Sequence, residues 1–218
     1  YSDRGEYDLA RQNFQTSIDL LRQRNPAYRN YYSWLQIFRT GWLELNQGRV
    51  DAAKAKLKEM EPLLSSVEID QKRVTFLYYL LEAEVSLADN QPEKAVEAGA
   101  KMAPEDFPGI SIANLPVYNI PFLKDILARA YWKKGELDKA IAEYVRLTTI
   151  DPKNQIRYLI HPLYHYRLGR VYEDKGEKAK AATEYEKFLA YWKDADARHP
   201  ELADARKRLA ALKPQVSK

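Results

Sequence analysis

The chain has 218 residues, of which 45% are hydrophobic and 30% are charged, and its net charge is +4. This composition supports a buried core beneath a solvated surface, and the small positive surplus does not predict a nucleic-acid-binding face. The chain contains no cysteine, which excludes disulfides, thiolate metal sites and a cysteine nucleophile but fits either a reducing or an oxidising compartment.

Helix is the default prediction for the secondary structure of this chain. Eight glycines and eleven prolines are too few for a β-sandwich built on tight turns, and no window shows sustained alternation of Val, Ile and Thr. The sequence has no run of about 18 apolar residues, so no membrane insertion is predicted. The first residues, 1–5, carry neither an initiating Met nor a signal pattern, which indicates a fragment of a longer protein.

A short motif recurs five times, with a turn residue followed five positions later by alanine. The turn residues are Gly5, Gly48, Asn90, Gly135 and Gly176, and the alanines are Ala10, Ala53, Ala95, Ala140 and Ala181. The alanines are spaced by 43, 42, 45 and 41 residues. A Gly or Asn at such a place is predicted to adopt the left-handed conformation that ends the first helix of a hairpin.

A second small residue lies seven positions before each turn from the second copy onward. These residues are Gly41, Ala83, Ala128 and Gly169, and we expect the two helices of each hairpin to touch there because a small side chain permits close approach. Each hairpin leaves one apolar face uncovered, so stacking against neighbouring hairpins is needed to complete a core.

The predicted elements follow in chain order. The sequence predicts a partial hairpin at 1–27, hairpins at 28–65 and 69–103, a long loop at 104–120, hairpins at 121–152 and 161–194, and a capping helix at 199–213. The stretch from Phe107 to Pro121 is rich in proline and cannot be helical throughout. We expect a connector pinned against the stack, with an autoinhibitory plug or a binding loop as the alternative. The capping helix is predicted to carry its Lys and Arg side chains on its outer side.

The segment from Leu127 to Leu147, LARAYWKKGELDKAIAEYVRL, resembles a full tetratricopeptide repeat. A second good copy runs from Tyr166 to Phe188, whereas the copies around Ala53 and Ala95 are divergent. The resemblance implies an all-α fold of antiparallel helical hairpins, stacked as a right-handed solenoid. The observed spacing exceeds the family's repeat of about 34 residues, so the extra length is predicted to lie between hairpins.

The resemblance also implies a place for partner binding, because in this family the first helices of the hairpins line the concave surface. One face of these helices supplies the candidates Leu35, Phe38, Trp42, Leu77, Leu80, Glu84, Asp125, Arg129, Trp132, Tyr166, Arg170 and Glu173. Aromatic side chains bury large areas and Arg pairs with carboxylates, which suits recognition of a polypeptide. Phe38 and Trp42 are interpreted mainly as core residues, and Arg129 and Arg170 as the stronger contact candidates.

One subtype of the family grips the C-terminal carboxylate of chaperone tails through Lys and Asn. Here the matching positions hold Asp125 with Arg129 and Tyr166 with Arg170, so that binding mode is not predicted.

Metal binding and catalysis are not predicted. His161 and His165 have the four-residue spacing of metal ligands, but no acidic third ligand lies nearby in sequence. Instead, His161 and Pro162 are expected to begin the last hairpin and His165 to pack at its interface. No phosphate-binding loop or catalytic signature occurs, so the sequence implies no enzyme activity and no cofactor.

The leading prediction is a non-catalytic scaffold that binds a protein or peptide partner in the concave groove. Two alternatives stay open. The stretch from Tyr185 to Asp196 with the capping helix resembles the tails of large bacterial regulatory proteins, which implies a regulatory region of a larger signalling protein. The second alternative is a structural subunit of an envelope or secretion assembly. The identity of the partner and the oligomeric state are not set by the sequence.

Overall fold

The computed structural model describes residues 6–66, 71–102, 124–150, 160–196 and 199–212. Within these ranges the chain forms helices and no strand. The ten α-helices of the described ranges are α1 (Tyr7–Arg24), α2 (Arg29–Asn46), α3 (Val50–Met60), α4 (Gln71–Ala88), α5 (Pro92–Lys101), α6 (Ile126–Lys134), α7 (Leu137–Thr148), α8 (Leu163–Asp174), α9 (Lys178–Tyr191) and α10 (Pro200–Leu212). The predicted all-α fold of tetratricopeptide-like hairpins is confirmed.

The helices divide into two compact units, with α1 to α5 in the first and α6 to α10 in the second. In the first unit, α2 pairs with α3 and α4 pairs with α5, while α1 packs on α2 and α4 packs on both α2 and α3. In the second unit, α6 pairs with α7 and α8 pairs with α9, while α8 packs on α7 and α10 packs on α9. None of these helices is long and apolar enough to span a membrane.

The turns inside the hairpins have the predicted left-handed backbone. The φ angles are 72° at Gly48, 60° at Asn90, 83° at Gly135 and 82° at Gly176. After each of these residues, the next backbone N–H donates to a carbonyl five positions back, as from Glu136 to Tyr131 at 2.9 Å. This hydrogen bond satisfies a carbonyl at the end of the first helix and reverses the chain. The fifth predicted turn, at Gly5, lies outside the described residues.

The small residues of the motif lie at tight helix contacts. A Cβ on Gly169 would lie 2.8 Å from Cε1 of Tyr185 on α9, and one on Gly41 would lie 2.9 Å from a Leu81 methyl on α4. Ala83 and Ala128 are fully buried. All five alanines of the motif are buried as well: Ala10, Ala53, Ala95, Ala140 and Ala181. A Cβ on Gly41 would also lie 3.1 Å from Cβ of Lys56 on α3, so the predicted contact between the two helices of a hairpin is confirmed at Gly41 and Gly169.

Each unit has an apolar interior made by its own helices. In the second unit, one cluster around Tyr144 and Leu168 joins α6, α7 and α8, and another around Tyr185 and Phe188 joins α8, α9 and α10. Leu202 of α10 is 1% exposed and belongs to this second cluster. α10 therefore covers the apolar face of the last hairpin, as a capping helix should.

Two connectors between hairpins are described, one in full and one in part. A short 3-10 helix, Pro26–Tyr28, joins α1 to α2, and another, Glu61–Ser66, follows α3. The predicted loop at 104–120 and residues 151–159, between α7 and α8, lie outside the described residues.

Candidate functional site

A polar network on the second unit joins side chains from α6, α8 and α10. We call this surface the second-unit face and define it by Trp132, Tyr166, Arg170, Glu173, Asp204 and Arg208. The guanidinium of Arg170 lies over the ring of Trp132, 5.5 Å from its centre. The Tyr166 hydroxyl donates to Asp204 Oδ2 at 2.7 Å. The network therefore brings together four predicted candidates, Trp132, Tyr166, Arg170 and Glu173.

The α10 side of this face is held by Arg208, which bonds two carboxylates. Its Nε donates to Asp204 at 2.6 Å and its Nη1 donates to Glu173 Oε2 at 3.1 Å. Burial by itself lowers the pKa of Arg208, but the hydrogen bonds to Asp204 and Glu173 outweigh it, and the net change is upward. Glu173 also accepts a hydrogen bond from Tyr185 at 2.7 Å.

Sequence reasoning missed the roles of Asp204 and Arg208. All the basic side chains of the capping helix were expected on its outer side, which is wrong for Arg208 because its guanidinium reaches α8. The spacing of four residues between Asp204 and Arg208 is the local signal that was available, since an acid and a base so spaced share one helix face.

Arg170 differs from the other arginine of the face in having no carboxylate partner among the described residues. Its Nη1 lies 3.3 Å from the Tyr166 hydroxyl, and its Nε is buried with no hydrogen-bond acceptor. Arg208, in contrast, is paired twice. The guanidinium of Arg170 is therefore oriented by Trp132 and Tyr166, and its charge helps to lower the pKa of Asp204, which accepts the Tyr166 hydroxyl.

The pair Asp125 and Arg129 has a different environment. Asp125 is fully buried at the start of α6, and its carboxylate accepts hydrogen bonds from Arg129 Nε at 2.9 Å, from the Tyr144 hydroxyl at 3.2 Å and from Arg167. Burial and the neighbouring Asp125 charge raise the pKa of Tyr144. Asp125 thus lies in the interior and Arg129 is held beside it, whereas Arg170 is partly exposed and forms no ion pair with a carboxylate among the described residues.

Arg167 was not among the predicted residues, and nothing near it in sequence indicates its partner. It pairs with Asp125 across 42 residues, from α8 to the start of α6. Burial works to lower the pKa of Arg167, but the carboxylate of Asp125 outweighs it and the pKa is raised.

The predicted candidates of the first unit are partly buried. Phe38 is 8% exposed, Leu77 is 5% exposed and Leu80 is fully buried, so these three contribute to the core of the unit. Phe38 stacks between Trp34 and Trp42 along α2, with ring centres 6.2 and 5.9 Å away. The remaining candidates, Leu35, Trp42 and Glu84, are partly exposed.

The two histidines singled out in the sequence lie in packed surroundings. His165 is buried between α8 and α9, with its Nδ1 2.6 Å from Glu184 Oε2, so the predicted position at the hairpin interface is confirmed. Burial lowers the pKa of His161 to about 4, and its Nδ1 accepts a hydrogen bond from the backbone N–H of Leu163 at 3.2 Å. In the described ranges, no three His, Cys, Asp or Glu side chains are grouped as metal ligands.

Comparison with known families gives one match. Residues 125–154 and 163–191 match the tetratricopeptide repeat, and these segments contain the two helical hairpins of the second unit, α6 with α7 and α8 with α9. No curated protein shows significant similarity to the chain. Repeats of this family generally mediate protein–protein interactions, using the surface that stacked hairpins create.

Proposed function

We propose that this chain, which carries tetratricopeptide repeats, is a non-catalytic scaffold that binds a polypeptide partner through the second-unit face. Arg170 is the anchor for a carboxylate of the partner, and the Trp132 ring beside it is an apolar platform. Leu35, Trp42 and Glu84 are proposed as further contact positions in the first unit.

The observation that carries this proposal is the oriented guanidinium of Arg170, which forms no ion pair with a carboxylate among the described residues. Its guanidinium is already oriented by the Trp132 ring at 5.5 Å and the Tyr166 hydroxyl at 3.3 Å. An oriented guanidinium loses little conformational freedom when it binds, and it can form two parallel hydrogen bonds to one carboxylate.

The charged side chains around Arg170 favour a partner peptide that carries both an acidic and a basic residue. Asp174 is exposed next to the Trp132 ring and accepts a hydrogen bond from its Nε1 at 2.7 Å. Arg170 and Asp174 therefore offer a cation and an anion four residues apart on α8. We expect the preferred peptides to contain an acidic residue for Arg170 and a basic residue a few positions away for Asp174.

A selection from phage-displayed random peptides tests this proposal with the complete chain as bait. We expect the enriched peptides to combine acidic and basic residues and to bind Arg170→Ala about 10- to 100-fold more weakly, the usual loss for a hydrogen bond to a charged group. Isothermal titration calorimetry with the enriched peptides measures this loss.

The matched control is Arg206→Ala, because Arg206 is an exposed arginine of α10 outside the second-unit face. Its affinity for the same peptides should equal that of the wild type. Enriched peptides without acidic residues, or equal affinities for the wild type and Arg170→Ala, would contradict the assignment of Arg170.

A further inference from the structure

Two donor side chains beside Arg170 are already bonded to carboxylates of the protein. Trp132 Nε1 donates to Asp174 Oδ2 at 2.7 Å, and the Tyr166 hydroxyl donates to Asp204 Oδ2 at 2.7 Å. Each of these hydrogen bonds would have to break before its donor could bind a ligand. An anion at Arg170 therefore cannot use either donor without a loss elsewhere in the second-unit face.

Two further arginines of the second unit are used in the same way. Arg208 donates to two carboxylates of the face, at 2.6 and 3.1 Å. Arg129 lies six residues before its hairpin turn, as Arg170 does, and its Nε donates to the buried Asp125 at 2.9 Å. Both of these guanidinium groups are thus held by protein carboxylates, whereas that of Arg170 is held by an aromatic ring and a hydroxyl.

Carboxylates outnumber arginines around the ring of Trp132 and the Tyr166 hydroxyl. The arginines are Arg170 and Arg208, and the carboxylates are Glu173, Asp174 and Asp204. A ligand with one negative charge compensates the charge of Arg170. A second negative charge on the same ligand is repelled by the surrounding carboxylates, because only one of them is matched by the other arginine.

Asp204 is directly linked to Arg170 through a shared hydroxyl. The Tyr166 oxygen accepts a hydrogen bond from Arg170 Nη1 at 3.3 Å and donates to Asp204, so one hydroxyl separates the two charged groups. Burial works to raise the pKa of Asp204, but the hydrogen bonds from Tyr166 and Arg208 and the charges of Arg208 and Arg170 outweigh it, and the net change is downward. Asp204 is therefore charged at neutral pH, and its charge acts on any anion bound at Arg170.

We infer that the second-unit face selects the side-chain carboxylate of an Asp or Glu over a phosphate group, and that Asp204 of α10 determines this specificity. The specificity rests on the proposed function, because it defines the anion that Arg170 receives. One carboxylate matches two parallel N–H groups of one guanidinium. A phosphorylated side chain carries a charge of about −1.5 to −2 and three acceptor oxygens, so it requires further donors or cations, which here are already bonded to carboxylates.

Three forms of one peptide test this specificity with the complete chain. The starting peptide is an enriched one from the phage selection, and the position tested is the acidic residue whose change to serine weakens binding to the wild type but not to Arg170→Ala. Glutamate, phosphoserine and serine forms are synthesised with amidated C-termini, so that no terminal carboxylate competes. Isothermal titration calorimetry at about pH 7.5, where the phosphate is mostly doubly charged, gives the Kd of each form.

We expect the phosphoserine form to bind about 3- to 10-fold more weakly than the glutamate form, the size of one added charge repulsion near a protein surface. Asp204→Asn removes a charge but keeps an oxygen that accepts the Tyr166 hydroxyl. This variant should narrow the ratio of the two Kd values by about 2-fold or more, mainly because the phosphoserine form binds more tightly.

The matched control is Asp194→Asn, which makes the same change in net charge at an exposed residue outside the second-unit face. Its ratio should equal that of the wild type. Circular dichroism checks the folding of each variant. If Asp204→Asn is unfolded, the exposed Asp174 provides a second variant, Asp174→Asn, which should narrow the ratio in the same direction.

A phosphoserine form that binds as tightly as the glutamate form would overturn this specificity and leave the proposed function standing. An unchanged ratio in folded Asp204→Asn, or an equal narrowing in Asp194→Asn, would overturn the role of Asp204. If no enriched peptide has an acidic residue whose effect depends on Arg170, the proposed function fails and the specificity fails with it.

Discussion

Buried and half-buried charges in this chain are of two kinds, paired and unpaired. Asp125 holds two arginines and a tyrosine in the interior of the second unit, and Glu184 holds His165 and Lys187. Such pairs offset the free energy lost on removing the charges from water. Arg39 and Arg170 form no ion pair with a carboxylate among the described residues.

A pH-dependent loss of stability is expected from His161. Its pKa is lowered from 6.5 to about 4, chiefly by burial and further by Arg167. The unfolded chain therefore binds a proton that the folded chain excludes. The contribution of His161 to the free energy of unfolding is fully present above pH 6.5 and decreases as the pH falls from about 6.5 to 4, by roughly 3 kcal/mol in total.

Urea unfolding at several pH values between 4 and 7.5 measures this loss. The control is His161→Asn, since its side-chain oxygen can still accept the hydrogen bond from Leu163 but cannot gain a proton. We expect the variant to lose much less stability on acidification. An equal pH dependence in both chains would show that His161 does not cause it.

Contacts between helices depend on the small residues of the repeat. Gly169 and Gly41 occupy the same place in their hairpins, seven residues before the turn. A Cβ at Gly169 would meet the Tyr185 ring, which is fully buried and bonded through its hydroxyl to Glu173. A Cβ at Gly41 would meet a terminal methyl of Leu81 at 2.9 Å, which can move more readily than an aromatic ring, and Cβ of Lys56 on α3 at 3.1 Å.

Gly169→Ala is therefore expected to destabilise the second unit by about 1–3 kcal/mol, the cost of overpacking a filled interface. The same change at Gly41 should cost less, because the Leu81 methyl can shift, whereas the helix propensity of alanine over glycine, about 1 kcal/mol, favours both variants equally. Denaturant unfolding of both variants gives the comparison. The interpretation fails if Gly169→Ala is as stable as the wild type, or if Gly41→Ala is the more damaging of the two.

At the scale of the whole molecule, the chain consists of two compact units with separate sets of helices. The clusters around Tyr144 and Tyr185 are built from second-unit residues alone, and α10 closes the last hairpin. A unit whose interior is complete needs no other part of the chain to bury its apolar surface.

The fragment 105–218 is accordingly expected to fold by itself. It should show helical circular dichroism and a cooperative thermal transition, because its core clusters are intact. Leu202→Ala in the fragment should cost about 2–5 kcal/mol, since it leaves a cavity beneath α10. A non-cooperative transition in the unsubstituted fragment would show that the second unit depends on residues of the first.

Local features of this chain could be predicted from sequence because their causes are local. A left-handed backbone at Gly48, Gly135 and Gly176 follows from the lack of a side chain, and the alanines and small residues at fixed distances from the turns set the hairpin contacts. The hairpins, the capping helix and the position of His165 could be predicted from the sequence for the same reason.

Tertiary structure decided which candidate side chains are exposed and how they are paired. Asp125 and Arg170 were both candidates in the sequence, yet one is buried among arginines and the other is partly exposed and forms no ion pair with a carboxylate among the described residues. Arg167 and Asp125 are 42 residues apart, and Arg208 and Glu173 are 35 apart. Such pairings depend on how the helices are rotated and stacked against one another, which local sequence patterns do not specify.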